Sequence, residues 1–193
     1  MKEYEDIRRE IKAMLNPTRY EHSINVEKAA VKLGKIYGVD ESKCKIASIV
    51  HDCAKGFEDK SLVHHAKEYG IVIDNIQNEI PSLLHGPVAA MYSKKKFHIF
   101  DQDILNAIWY HTTGRAGMSH LEKIIYLADL IEEGRDFPEV NSIRRKAVNN
   151  LDKALIMACN CTLNYIMRSN SLIHPLTIEF RNSLLTKGGP NNG

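Results

Sequence analysis

The chain has 193 residues, of which 44% are hydrophobic and 26% charged, and its formal net charge is +2. This suits one globular domain with a sizeable core and excludes a disordered chain. So small a net charge also argues against broad attraction to nucleic acid or a membrane surface, which needs a clustered basic field. The densest basic run, Lys94-Lys95-Lys96, reads as a solvated helix end. Four cysteines, two of them spaced CxC at Cys159 and Cys161, form neither a disulfide framework nor a zinc motif. Reduced thiols in a cytoplasmic protein are expected. The N-terminal stretch "MKEYEDIRREIKAML" is amphipathic and lacks the apolar run of a signal peptide, and no stretch of ~18 apolar residues could span a bilayer.

In chain order, residues 3–15 have helical spacing. Asn16 followed by Pro17 caps and opens a helix that ends near Gly38. Asp40 caps a third helix, expected to run to about Lys55 before Gly56. Asp59 or Ser61 starts the next, closed by Gly70. "IVIDNIQNEIPSLL" is irregular, and its "IVI" is the one weak strand candidate. A helix then follows "HGP", another runs from Asp101 to His111, and "TTGRAG" is a loop. Helices are expected over about 119–132, 141–168 and 175–186. The spacing predicts an all-α fold, with residues 1–186 as a single domain and 187–193 as a flexible tail.

Several polar side chains stand where apolar ones belong. His22 shares a helix face with Val26, Ala29 and Leu33, so it points inward. His51 and Asp52 sit in "ASIVHDCAKGF", among core-like neighbours. Asp129 lies inside "IIYLADLI" and His111 ends "ILNAIWYH". His85 precedes the helix carrying Val88, Ala89 and Tyr92. An ionised carboxylate in an apolar interior must be paired, ligate a metal or be neutralised. Asp129 could pair with Lys123 or Arg135, and any one of the histidines could be an ordinary hydrogen-bonded core residue. Taken together, two inward aspartates and several inward histidines on separate helices are satisfied by a shared cation. Imidazole with carboxylate suits iron, manganese, zinc or nickel, and the set contains no cysteine.

The pattern His22, His51-Asp52, Asp129 resembles the HD superfamily of metal-dependent phosphohydrolases, whose fold is an all-α HD-domain helical bundle. More closely, the segments "RYEHS" (19–23), "HDCAKG" (51–56), "HGPVAA" (85–90), "HTTGRAGMSHLEKIIYLADLIEEGRDF" (111–137) and "IHPLTIEFRN" (173–182) are similar to the bacterial YqeK-type symmetrical bis(5'-nucleosyl)-tetraphosphatases. The resemblance implies an enzyme that hydrolyses diadenosine tetraphosphate at its centre into two ADP. By the same resemblance, His22, His51, Asp52 and Asp129 would hold a first iron ion, with manganese or another divalent metal as substitute. Asp52, having two oxygens, could bridge to a second ion. His85 and His111 would then bind that second ion or, alternatively, the substrate phosphate.

For the polyphosphate, Arg19, Lys55, Lys123 and Arg135 are candidate cations. Lys55, following His51 by four residues, would share its face on a helix. Gly56 belongs to the same motif. Thr112, with Thr113 and Gly114, could offer backbone N–H groups to phosphate oxygen. Ile173, His174 and Thr177 would close over a nucleoside by the resemblance. The partners expected are a dinucleoside polyphosphate and an ADP- or GDP-like product, with no nucleic acid and no membrane. Homodimer formation is open. Competing readings are another HD-type nucleotide phosphohydrolase or phosphodiesterase, and a metal-dependent nucleotide sensor that binds without cleaving. A third, an RNA-binding factor, rests on the Lys94–Lys96 run.

Overall fold

A computed structural model describes residues 2–186. Eleven α-helices and one short 3₁₀ turn make up the regular structure, and no strand is present among the described residues. The tail expected over 187–193 lies outside them. In order the helices are α1 Tyr4–Met14, α2 Pro17–Tyr37, α3 Glu41–Val50, α4 Asp59–Glu68 and α5 Asn75–Glu79. The 3₁₀ turn Pro81–Leu84 leads directly into α6 His85–Phe97. They are followed by α7 Gln102–Trp109, α8 His120–Ile131, α9 Val140–Ala147, α10 Leu151–Arg168 and α11 Pro175–Thr186.

The helix starts follow local chemistry. The side chains of Asn16, Asp40, Asp74, Asp101, Ser119 and Asn150 each accept a backbone N–H of the first helical turn. Those N–H groups have no partner within their own helix, so each cap removes a desolvation cost. At Asp74 and Ser119 the third helical residue, Gln77 or Glu122, bonds back to complete a capping box. Pro17 occupies the first turn of α2, where its missing N–H costs nothing, and Gly38 ends that helix at φ 70°.

Packing is centred on α8. Every residue from Leu121 to Ala128 is buried, as expected of a helix that is apolar nearly all round. Helices α2, α3, α7, α9 and α10 pack on it. Ile124 and Ile125 have no exposure at all, and truncation of such a residue to Ala costs about 2–5 kcal/mol. One continuous apolar cluster runs from Ile7 of α1 to Leu184 of α11.

Four sequence expectations are corrected. The "IVI" stretch at 71–73 forms no strand. The helix expected over 141–168 is two helices, α9 and α10, because Asn150 leaves the helical conformation (φ −157°, ψ 101°) and caps Lys153 N. The helix expected to reach Lys55 stops at Val50, and residues 51–56 form successive turns. There the backbone bonds tighten to three-residue spacing: Cys53 N to Val50 O, Lys55 N to Asp52 O and Phe57 N to Ala54 O. The His51 ring engages the backbone at the same point. Its Nδ1 lies 2.6 Å from Ser48 O, the carbonyl that a continuing α-helix would offer to Asp52 N. Finally, Gly114 N already donates to Tyr110 O at 2.8 Å, so that amide is committed within the loop.

Gly86 sets how closely α6 approaches the end of α7. A Cβ there would lie 2.7 Å from Trp109 O and 3.2 Å from Ile108 O. Both obstacles are backbone, so the helices would have to part. Gly86→Ala is expected to lower stability by about 1–3 kcal/mol, read as a drop in thermal midpoint; an unchanged midpoint would refute the close-packing account.

Candidate metal centre

Five segments converge on one buried point. The end of α3 brings His51 and the turn after it brings Asp52; α2 brings His22 and Arg19; α6 opens with His85; His111 follows α7; and Asp129 lies near the end of α8. His51, Asp52, His85 and His111 are buried. Two sets of three ligand atoms each lie within 4.8 Å of one another: His22, His51 and Asp129, and His51, Asp52 and His111. His51 belongs to both.

Asp52 stands between the two halves. Its Oδ2 faces His51 Nε2 at 3.7 Å, His22 Nε2 at 3.8 Å and the Arg19 guanidinium at 2.8 Å. Its Oδ1 faces His85 Nε2 at 3.3 Å and His111 Nε2 at 3.5 Å. Asp129 Oδ1 lies 3.0 Å from His22 Nε2 and 2.6 Å from Arg135 Nη2.

The ring tautomers follow from the other nitrogen of each histidine. Nδ1 of His51, His85 and His111 sits 2.6, 2.5 and 2.7 Å from the carbonyl oxygens of Ser48, Ser82 and Ile108, each three residues earlier. A carbonyl only accepts, so each Nδ1 carries a hydrogen and donates it. In the neutral ring the Nε2 then presents a lone pair to the centre, the arrangement a metal ligand needs. His22 follows the same logic with a carboxylate, its Nδ1 lying 3.2 Å from Glu132 Oε1.

The residues fit a cation. Nε2 of His22 and of His51 are buried without a hydrogen-bond partner. Nε2 of His85 and His111 are 2.9 Å apart, so in neutral rings two lone pairs meet unless a proton or a cation stands between them. The Thr112 hydroxyl is 3.1 and 3.2 Å from those same nitrogens. The donor set is nitrogen and oxygen, the preference of borderline divalent metals. Cys53 is buried beside the site, yet burial pushes its thiol up to about 12, so it stays protonated.

The electrostatics point the same way. Burial pushes His51 down to about 4, keeping it neutral near pH 7. Burial also lowers His85, with His111 and Lys55 adding to the effect against Asp52. Burial alone would lower His22 as well, but the carboxylates of Asp129 and Glu132 beside it outweigh that and leave it raised. Burial would raise both aspartates. Instead both are lowered, Asp52 well below the usual carboxylate range: a proton given up by Asp52 can be taken by the facing rings of His51, His111 and His85, and one given up by Asp129 by His22 and His51. Both carboxylates are therefore anionic.

Beyond the cluster, the outcomes differ by residue. Lys55 stands 3.4 Å from His85 Nδ1 although no helix carries it there; burial lowers its pKa, with Arg19 and Arg135 contributing. Gly56 is exposed at the end of the turns and has open space around its Cα. Arg19 and Arg135 line a cleft of about 510 Å³ together with His22, Glu132 and Gly134. Lys123 is instead buried in an ion pair with Asp152 of α10, a partner that local spacing does not reveal. Asp129 pairs with Arg135 rather than Lys123. His174 is bonded to Asp74 at 2.8 Å, and Ile173 and Thr177 flank it at the start of α11. That helix packs by Phe180 on Gly114, whose φ of 66° and lack of a Cβ admit the ring.

Glu132 was not among the sequence candidates. It caps the C-terminus of α8, where a negative charge opposes the helix dipole. An acidic residue in that position calls for partners, and here it has His22 Nδ1 at 3.2 Å, Gly134 N at 2.5 Å and Arg135 Nε at 3.6 Å.

Among the described residues no helix is long and apolar enough to cross a membrane. The HD domain model matches residues 19–134, which span Arg19 to the turn after α8. A protein of Halalkalibacterium halodurans named "Bis(5'-nucleosyl)-tetraphosphatase, symmetrical" is 40% identical over 175 residues, 91% of this chain and 93% of that one. A Bacillus subtilis protein of the same name is 37% identical, with 91% of this chain and 94% of that one covered. A crystal structure of a predicted HD superfamily hydrolase involved in NAD metabolism, from Clostridium acetobutylicum, superposes with TM-score 0.94 at 40% identity, covering 97% of this chain and 99% of that one. By fold, by residue pattern and by these relatives, the chain belongs to the HD domain family, alongside the symmetrical bis(5'-nucleosyl)-tetraphosphatases.

Proposed function

We propose that the protein hydrolyses diadenosine tetraphosphate symmetrically, adding water across the central P–O–P bond to give two ADP. The observation that carries this reading is the division of Asp52, one oxygen toward His22 and His51 and the other toward His85 and His111. A carboxylate so placed suits a centre that handles a phosphoryl group between two sets of ligands. The names of the relatives support the substrate and the central cut.

His22, His51, Asp52 and Asp129 would hold the first ion, and His85 and His111 with Asp52 a second. We propose iron in one or both places, with manganese as substitute, since neutral imidazoles and carboxylates without thiolate suit either. When bound, such an ion supplies Lewis-acid charge to a phosphoryl oxygen and acidifies water.

The chain's own residues account for binding and orientation. Arg19 and Arg135 line the cleft beside His22, where their guanidinium forks match phosphate oxygens. Their pairing with Asp52 and Asp129 holds both side chains at the rim before substrate arrives. Lys55 adds a third cation on the His85 side. The Thr112 hydroxyl, within reach of both second-set histidines, can give or accept a hydrogen bond to the reacting phosphate or water. Gly114 and Phe180 fix the loop after His111 against α11, consistent with a nucleoside contact near Ile173–Thr177. Four free thiols, three of them buried, support a cytoplasmic setting.

Three outcomes test this reading. Ion binding to the folded state alone should stabilise it by about 2.7–4 kcal/mol at 100–1,000 times Kd, so chelation should lower the melting midpoint by about 5–15 °C. Asp52→Ala should both lose bound metal and slow hydrolysis by about 10³-fold or more; full metal content with normal turnover would sink the assignment. Hydrolysis in oxygen-18 water should yield two ADP with label on one of them, whereas ATP plus AMP would refute the symmetrical cut.

A further inference from the structure

Arg144 lies on α9, beyond the residues matched by the family model. Its guanidinium donates to three carbonyls at and after the end of α8: Ile131 O at 2.8 Å, Glu132 O at 2.5 Å and Arg135 O at 3.0 Å. A fourth bond, to Asn141 Oδ1 at 3.0 Å, ties the fork to its own helix. The last carbonyls of a helix lack partners within it, and a cation there also complements the dipole. Acceptors engaged from Nε and Nη2 at once suit the rigid fork of arginine and not the single ammonium of lysine.

The turn held this way carries two residues that reach the centre. Glu132 accepts from His22 Nδ1 at 3.2 Å, and Arg135 donates to Asp129 O at 2.9 Å and Oδ1 at 2.6 Å. The turn has open space on both sides. Glu132 lines the cleft of about 510 Å³ beside His22 and also a second cavity of about 380 Å³, of which Arg144 is a wall. Ile131 and Glu132 are buried, but Glu133 and Gly134 after them are exposed, so hydrogen bonds help keep this part of the turn in place.

We propose that Arg144 is a positioning residue for the metal centre: by clamping residues 131–135 it keeps Glu132 on His22 Nδ1 and so keeps His22 Nε2 aimed at the ion. This rests on the metal reading above. Loss of the acceptor that orients a metal-binding histidine typically weakens metal affinity 10–100-fold.

The test is a double-mutant cycle on manganese affinity, measured by competition with a chelator, with the melting midpoint of the metal-free protein recorded alongside. Arg144→Met and Glu132→Ala should each weaken manganese binding about tenfold or more. The double variant should bind within about twofold of Glu132→Ala alone, because residues acting through one another are not additive. Multiplied losses, or a lowered midpoint with unchanged affinity, would reduce Arg144 to a helix cap and overturn the proposal. Arg144→Lys, which keeps the charge without the fork, serves if the Met variant does not fold. It should weaken binding severalfold, and wild-type affinity would overturn the clamp. A wild-type chain that binds no manganese or iron would instead refute the metal reading itself.

Discussion

The organisation of this protein depends on one repeated hydrogen bond, from a histidine Nδ1 to the carbonyl three residues earlier. His51, His85 and His111 each make it. The bond settles two matters at once. It assigns the ring hydrogen to Nδ1, so that Nε2 faces inward as a lone pair. It also ties each ring to the backbone at a helix boundary, and all three histidines stand at such boundaries, after α3, at the opening of α6 and after α7. These three rings are thus placed by the ends of rigid helices rather than by long loops.

What collects around these nitrogens is a balance of charge. Two anionic carboxylates in or near the interior would be unfavourable alone. Asp52 is offset by Arg19, and Asp129 by Arg135 and His22. The two arginines stand on the rim of the same cleft, so the groups that neutralise the interior carboxylates also face an arriving polyanion. Glu132 extends the balance outward, accepting from His22 on one side and Gly134 N on the other.

Much of the fold was legible because helix ends are written in local residue chemistry. Asn16-Pro17, Asp40, Asp101 and Ser119 mark starts that the structure keeps, and Gly38 marks a stop. The break between α9 and α10 was missed because its one signal, Asn150, sits in an otherwise unbroken apolar rhythm. The inward His22, His51, Asp52 and Asp129 stood out as polar residues on apolar faces. Lys55 was singled out by helical spacing that the turns at 51–56 do not have, yet the same turns bring it to His85. The partners of Lys123 and His174 were beyond reach, since Asp152 and Asp74 are 29 and 100 residues away in the chain. Glu132 was hidden for the same reason, its meaning lying in a histidine 110 residues earlier.

That last separation has a consequence for how the molecule comes into being. His22 and Glu132 meet only after α2 and α8 have docked across the core, and His85 and His111 only after α6 has closed on α7 at Gly86. Closing such long loops is entropically slow and is rewarded only once the distant contacts form. No single described helix or hairpin carries the whole set of candidate ligands. Ion affinity is therefore a property of the assembled tertiary structure, and a chain that has folded its helices but not yet packed them would hold an ion poorly.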